Sequence, residues 1–303
     1  MVAQSDEVDT IVMFSACRDE RPVKYWLNAS FLELDQLIPV AKAAEEMGFE
    51  GLTLADHLFF PSEFSSSYPY SPDGKVIWPT LSSWPDCWVS IAAMAQVTQR
   101  LRFSTGVFVA PLRDPFSLAK SIGTVAGLAD GRLSCGFGAG WLQEEFEIVG
   151  VDFTSRGARM DEMLEVLRLL WTGEMVTYHG KHFGFGPIQM RPPAPSVAIL
   201  IGGNSRPALR RAARNDGWIG SYTDVEDVSK MAAEVLRLRD DAGRGTEPFQ
   251  MAVVGSPRVA REANALGDIG IQAITVPAVA LGPSWATGDV IAGVGEFAAR
   301  WLS

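Results

Sequence analysis

Short apolar, β-branched runs alternate with longer runs of helical period along almost all of this 303-residue chain. Regular strand-then-helix alternation is the pattern of a parallel sheet covered by helices, because each parallel pairing needs a helical crossover. Strands are expected at 10–14, 51–55, 101–109, 132–137, 197–201, 217–220, 250–254 and 273–276. Helices are expected at 32–47, 86–99, 115–129, 156–171, 206–215, 225–241, 257–266 and 288–302. In the fourth helix Met160, Met163, Leu164, Leu167, Leu170 and Trp171 recur every three or four residues and mark one buried stripe. Asp114-Pro115 places a capping acid and a first-turn proline at the start of the third, and Gly131 stops it. Eight such units fit an α/β fold of the (β/α)8 TIM-barrel type better than a doubly wound sheet. The whole chain, 1–303, is then one barrel domain. Two stretches interrupt the repeat as insertion loops: 58–84, rich in proline, serine and aromatics, and 172–196, rich in glycine and proline.

In such a barrel the chemistry gathers where strands end and βα loops begin. Unusual clusters fall at five of those ends: Asp56-His57, Gly106 to Pro111, Gly138 to Trp141, Gly202 to Arg206, and Ser221 to Asp224. His57 can donate or accept a proton near neutrality, and Asp56 beside it could fix its tautomer; a loop-capping pair is the other reading. The run GFGAGW at 136–141 spaces glycines at alternate positions. It allows something flat to approach the backbone, or packs as a tight turn, and it lacks the context of a Rossmann dinucleotide turn. IGGNSR at 201–206 puts two glycines, Asn204 and Ser205 ahead of a helix, an arrangement suited to an anion such as phosphate or to ordinary capping. Phe59, Phe60, Phe64, Tyr68, Tyr70, Trp78, Trp84 and Trp88 crowd the first insertion and could line an apolar substrate pocket, some of them packing on the barrel instead.

Other classes are excluded or left without support. The net charge of −10 argues against nucleic acid and anionic membranes, and the most basic stretch, RPALRRAAR at 206–214, has the spacing of a solvated helix face. No apolar run reaches the roughly 18 residues of a membrane span. The acidic N-terminal segment is unlike a signal peptide, and Cys17, Cys87 and Cys135 are too few and too scattered for a disulfide or zinc framework. A cytoplasmic protein with reduced thiols is expected. His179 and His182 lack a third ligand nearby, so no metal site is expected. No Ser-His-Asp arrangement is visible either.

Four stretches resemble the luciferase-like monooxygenase superfamily in order and spacing: AKAAEEMGFEGLTLADHLF (41–59), the segment 101–150, RGARMDEMLEVLRLLWTGEMVTYHGKHF (156–183) and IGGNSRPALRRAARNDGWIG (201–220). The resemblance covers about residues 9–222 and implies a TIM barrel with a flavin or deazaflavin at its C-terminal mouth. It implies the branch that uses coenzyme F420, with FMN as the alternative. His57, with Asp56 beside it, would stand at the redox centre. A non-prolyl cis peptide would fall at Gly106-Val107, behind the ring. The implied cofactor set is Gly106, Val107, Val109, Gly138, Gly140, Trp141, Glu144, Gly202, Gly203, Asn204, Ser205, Arg206 and Ser221. The resemblance also implies a small-molecule substrate, a homodimer and, were the flavin FMN, a separate reductase. The chain departs from the sugar-phosphate dehydrogenase branch, which has a glutamate where Trp141 stands and an asparagine where Glu144 stands, so the expected substrate is a largely apolar organic molecule. A catalytically silent flavin-binding protein on the same barrel is the reading from another class.

Overall fold

The computed structural model describes residues 22–79, 82–194 and 196–302. The expected strand at 10–14, and Cys17, lie outside the described residues. The strand that leads into the first helix is Lys24–Asn28 (β1), in which Tyr25 and Leu27 are buried. It is followed by α1 (Leu34–Glu46), β2 (Gly51–Leu54), α2 (Cys87–Ala95), β3 (Arg102–Thr105), β4 (Phe108–Val109), α3 (Pro115–Ala129) and β5 (Ser134–Gly138). Then come α4 (Gln143–Ile148), α5 (Arg156–Trp171), β6 (Met175–His179), β7 (Gly184–Gln189), β8 (Ala198–Gly202) and α6 (Arg206–Ala212). The chain ends with β9 (Gly217–Ser221), α7 (Val225–Asp241), β10 (Gln250–Val254), α8 (Ala263–Asp268), β11 (Ala273–Pro277) and α9 (Thr287–Trp301).

Nine parallel pieces pair in the order β3-β2-β1-β11-β10-β9-β8-β5-β4. Because β3 and β4 are two halves of one strand, this order closes on itself, and a parallel bridge from Phe103 to Leu133 joins β3 to β5. The result is a (β/α)8 barrel. The expected strand 101–109 is split at Gly106-Val107, whose peptide bond is cis. Asp114 caps α3 by accepting from the backbone N–H groups of Phe116 and Ser117, and Asp86 caps α2 in the same way through Trp88 and Val89.

The 172–196 insertion carries an antiparallel hairpin, β6 with β7, where the sequence suggested only an irregular excursion. The described parts of the 58–84 stretch, 58–79 and 82–84, hold no helix or strand between β2 and α2. A short helix, α4, follows β5, where no element was expected. The seventh expected helix, 257–266, is a 3-10 turn at Pro257–Glu262 running into α8. The main core, from Leu27 and Phe103 to Trp218 and Val276, lies inside the barrel and between strands and helices. Cys87 and Cys135 are free thiols, buried, and burial raises both above the ordinary thiol range. Among the described residues no helix is long and apolar enough to cross a membrane.

Candidate active site at the barrel mouth

His57 leaves the C-terminal end of β2 and is 8% exposed. Its Nδ1 lies 2.9 Å from Oε2 of Glu145, itself 1% exposed. Donation from Nδ1 to this carboxylate is the tautomer that satisfies the pair, and Nε2 makes no hydrogen bond among the described residues. The other oxygen of Glu145 accepts from the backbone N–H of Leu58 at 2.6 Å, fixing the carboxylate and the start of the long loop together. Glu145 escaped the sequence reading because it sits on the unexpected α4. The signal was present: Leu142, Glu145 and Phe146 share one face at helical spacing, and all three are buried.

The expected partner of His57, Asp56, does another job. Its Oδ2 accepts from the backbone N–H of Val109 at 3.1 Å, and its Oδ1 pairs with Arg113 at 2.8 Å. Its own N–H donates to the carbonyl of Val107. Asp56 thus fastens the β3–β4 break to β2, and the role of orienting the histidine passes to Glu145. Burial raises the Asp56 carboxyl to about 6, against the opposing pull of Arg113 and of the Val109 N–H.

The floor of the mouth is built round Val107. A Cβ on Gly202 would stand 2.3 Å from Cγ1 of Val107, and one on Gly138 would stand 2.6 Å from its Cγ2. Neither glycine is required by a left-handed backbone; both are required by space. Gly140, at φ 87°, would direct a Cβ into Phe146 and Val109. It therefore belongs, with Val109, to a satellite cluster of Val109, Leu112 and Phe146. The Val109 side chain is buried in that cluster, and Gly140 is half-exposed beside it.

The loop after β8 is ordered from within. Gly203 takes φ 121°, and its carbonyl accepts from the buried indole of Trp218 at 2.9 Å. Asn204 exchanges two hydrogen bonds with the backbone of Ser221, and Ser205 caps α6. These side chains serve to shape the loop, so any anion there would meet backbone. Arg206 is exposed and feels Glu234.

Glu144 is the second reassigned residue. It accepts from the backbone and hydroxyl of Ser65 and from those of Ser66, at 2.6 to 3.2 Å. Partial burial alone would raise this carboxyl, but the Ser66 and Ser65 donors outweigh it and hold it down at about 2. With its acceptors engaged by Ser65 and Ser66, Glu144 staples the long loop to α4.

That loop and Trp141, from the β5–α4 connection, bring rings round His57. Trp84 lies edge-on at 4.7 Å between ring centres, Phe60 at 5.5 Å, Trp141 at 5.8 Å and Trp78 at 6.2 Å. Tyr68 packs on Trp78 and Trp141, and the Tyr70 hydroxyl lies 3.4 Å from where a Cβ on Gly203 would be. Phe31, which sequence reasoning passed over, stacks on Trp78 from the β1 end. Trp88 sits apart, packed on Phe108. His179 and His182 lie on and beside the hairpin, far along the chain from this cage, and among the described residues no cluster could hold a metal.

The family model described as luciferase-like monooxygenase matches residues 14–274. An uncharacterized protein of Mycobacterium tuberculosis is 39% identical over 218 residues, covering 72% of this chain and 75% of the relative. An F420-dependent hydroxymycolic acid dehydrogenase of the same species is 26% identical over 254 residues, covering 80% of this chain and 66% of that protein. Among solved structures, an F420-dependent secondary alcohol dehydrogenase in complex with an F420-acetone adduct superposes with a TM-score of 0.73 at 16% identity, covering 92% of this chain and 98% of the other.

Proposed function

This chain belongs to the luciferase-like monooxygenase family and is an oxidoreductase, and on that premise we propose that it transfers a hydride between coenzyme F420 and a largely apolar small organic molecule. The observation that carries the reading is the buried His57–Glu145 pair under a cage of aromatic rings, beside a floor of Val107 flanked by two glycines. The residues fit a flat ring system: Gly138 and Gly202 leave no side chain above the floor except that of Val107. They also fit an anionic tail, since the Gly202–Gly203 turn presents backbone next to the mouth. The F420-dependent relative supports this coenzyme over FMN.

When bound, the deazaflavin supplies the carbon that accepts or returns the hydride. The protein supplies position, dryness and proton traffic. Glu145 holds the Nδ1 proton of His57, so Nε2 is the free base that takes a proton from a substrate hydroxyl, or returns it in the reverse direction. The negative carboxylate stabilises the imidazolium that results. The aromatic cage excludes water from the reacting atoms and suits an apolar substrate. Asp56 and Arg113 hold the Val107 floor from behind. A homodimer completes the reading, checked by sedimentation.

The test is a titration of the purified protein with oxidised F420, followed by the coenzyme's visible absorbance, beside the same titration with FMN. Saturable F420 binding that survives in His57→Ala, with turnover lost, is the expected result. Protein that carries FMN on purification and consumes oxygen with a separate reductase would replace this reading with a monooxygenase. Turnover unchanged in His57→Ala would remove the histidine from the chemistry.

A further inference from the structure

Large apolar side chains scattered singly over a surface are ordinary, whereas several gathered on one face mark a contact. Four are gathered at the mouth end of this barrel: Ile77, 76% exposed, Leu34 and Val89, each 71% exposed, and Trp285, 42% exposed. Ile77 lies on the connection that leaves β2, Trp285 on the one that leaves β11, and Leu34 and Val89 in the first turns of α1 and α2. Strand-to-helix connections and helix starts share the mouth end of a (β/α)8 barrel. Phe31 joins the four. Its ring stacks on Trp78, the neighbour of Ile77, at 5.6 Å and on Trp285 at 6.2 Å. It meets Trp84 edge-on at 4.9 Å, just before Asp86, whose side chain caps the N–H of Val89. The carbonyl of Trp285 accepts from Nε2 of Gln36 at 2.7 Å, and Oε1 of Gln36 accepts from the Glu33 N–H at 2.8 Å, so the Trp285 loop is tied to the turn that carries Leu34. Trp78 and Trp84 also border His57, which makes this patch the outer surface of the aromatic cage. Exposed carboxylates flank it: Glu33 and Asp35 on either side of Leu34, Asp73 before Ile77 and Asp86 before Val89, with Lys75 as the cation beside them.

We propose that this rim docks on a zwitterionic lipid surface of the phosphatidylcholine type, with Ile77, Leu34, Val89 and Trp285 entering the headgroup boundary and the barrel mouth turned to the bilayer. Aliphatic tips partition into the apolar side of such a boundary, and a half-exposed tryptophan suits the boundary itself. Charge selects the surface. The flanking carboxylates repel an anionic leaflet, as the net charge of −10 does. They attract the trimethylammonium groups that phosphatidylcholine presents outermost, and an indole ring attracts the same cation. Two copies of the patch would set like charges against each other, so a second copy of this chain is not the occupant. A docked mouth receives an apolar substrate from lipid without passage through water. That consequence rests on the redox reading of the cage beneath; the docking itself does not.

Cosedimentation of the intact protein with vesicles tests the proposal, using phosphatidylcholine alone and phosphatidylcholine mixed with phosphatidylglycerol. The protein should bind the first and bind the second more weakly as the anionic lipid increases. Ile77→Ser and Leu34→Ser alter exposed side chains, and each should weaken binding about five- to tenfold, the effect of withdrawing part of one branched side chain from an apolar phase. Met175→Ser is the control: Met175 is 62% exposed on the β6–β7 hairpin that follows the end of α5, at the far end of the barrel, and its loss should leave binding unchanged. Brominated phosphatidylcholine should quench tryptophan fluorescence in the parent and less in Trp285→Phe. Absence of binding to phosphatidylcholine, binding strengthened by phosphatidylglycerol, or an Ile77→Ser, Leu34→Ser double variant that binds as tightly as the parent would overturn the proposal. Near-ultraviolet circular dichroism checks that each variant is folded. F420 titrations run alongside separate the two ideas: vesicle binding without coenzyme binding would discard the redox reading and keep the docking surface, while coenzyme binding without vesicle binding would do the reverse.

Discussion

Gly202→Ala is the sharpest test of how the floor is built. The added methyl would stand 2.3 Å from Cγ1 of Val107, more than 1 Å inside ordinary contact. Val107 has nowhere to retreat. Its carbonyl accepts from the Asp56 N–H at 3.1 Å, and the Gly106 N–H donates to Leu54 at 2.8 Å, so its backbone is tied to β2. Its second methyl lies over Gly138, where a Cβ would meet it at 2.6 Å, so rotating the side chain would disturb that packing as well. Overpacking of this kind costs about 1–3 kcal/mol. Val107→Ala removes both methyls from a half-buried side chain and costs about 1 kcal/mol by itself. In the double variant the remaining Val107 Cβ lies 3.5 Å from the new methyl, an ordinary contact. The double variant should therefore be more stable than the sum of the singles predicts, by about 1–2 kcal/mol. Urea unfolding of the four proteins at pH 7 measures this, and coenzyme titration of the same set measures the floor's effect on ring binding. A Gly202→Ala protein as stable as the parent, or strictly additive energies, would refute the argument that Val107 fills the space both glycines leave.

Glu145→Gln should lower kcat by at least about tenfold with coenzyme affinity unchanged, because the amide no longer stabilises a charged His57; steady-state kinetics and an F420 titration decide it. Asp56 makes a pH prediction whose sign opposes the usual salt-bridge expectation. Its folded carboxyl, at about 6 against an ordinary 3.8, binds its proton more tightly than the unfolded chain does. The stability this group contributes is thus present at low pH and lost as pH rises from about 4 to 6, on the order of 3 kcal/mol in all. Denaturant unfolding at pH 4 and pH 7 should show Asp56→Asn gaining on the parent as pH rises. Glu144→Ala should release the loop from its clip at Ser65 and Ser66, seen as several-fold faster chymotrypsin cleavage within 58–79. Arg239, 1% exposed, donates to the carbonyls of Ala213, Asn215, Arg244 and Glu247 and lies over Phe249, so Arg239→Met should cost about 2–4 kcal/mol in urea unfolding.

Much of the barrel was legible because its helices are long enough to show a period. The start of α3 follows from its capping acid and first-turn proline, and the extent of α5 from its apolar stripe. What escaped notice was short or chemically mixed. β1 reads KYWLN, with a lysine at one end and an asparagine at the other, and its alternation is only five residues long. The hairpin β6–β7 alternates only half-buried and exposed positions, so no strong apolar rhythm marks it. The six residues of α4 hold too few turns for a period, and the shared face of Leu142, Glu145 and Phe146 carries meaning only once a helix is expected there. The candidate site divides along the same line. His57 and the two mouth glycines were visible as strand-end punctuation, whereas the Gly106-Val107 cis peptide was implied only by the family resemblance. The identity of the histidine's partner was not, because Asp56 is adjacent in sequence while Glu145 is adjacent in space, 88 residues on.

The first turn of α4 carries the mechanical consequence of that displacement. Glu144 holds the long loop through Ser65 and Ser66, and its neighbour Glu145 holds both His57 and the N–H of Leu58, where the same loop begins. The backbone N–H of Gln143 adds a further tie to the Ser66 hydroxyl. One helical turn therefore anchors the loop at its start and again at Ser65 and Ser66 while it orients His57. A loop pulled away from the mouth would strain the peptide that carries His57, and a loop seated over it leaves both carboxylates satisfied. Burial of Glu145 is tolerable only in the seated state, since an unpaired buried carboxylate is expensive. The aromatic cage and the His57–Glu145 pair are thus stabilised by the same contacts, and Trp141, standing at the entrance to α4 and packed on His57, Phe64 and Tyr68, ties the rings to that turn as well.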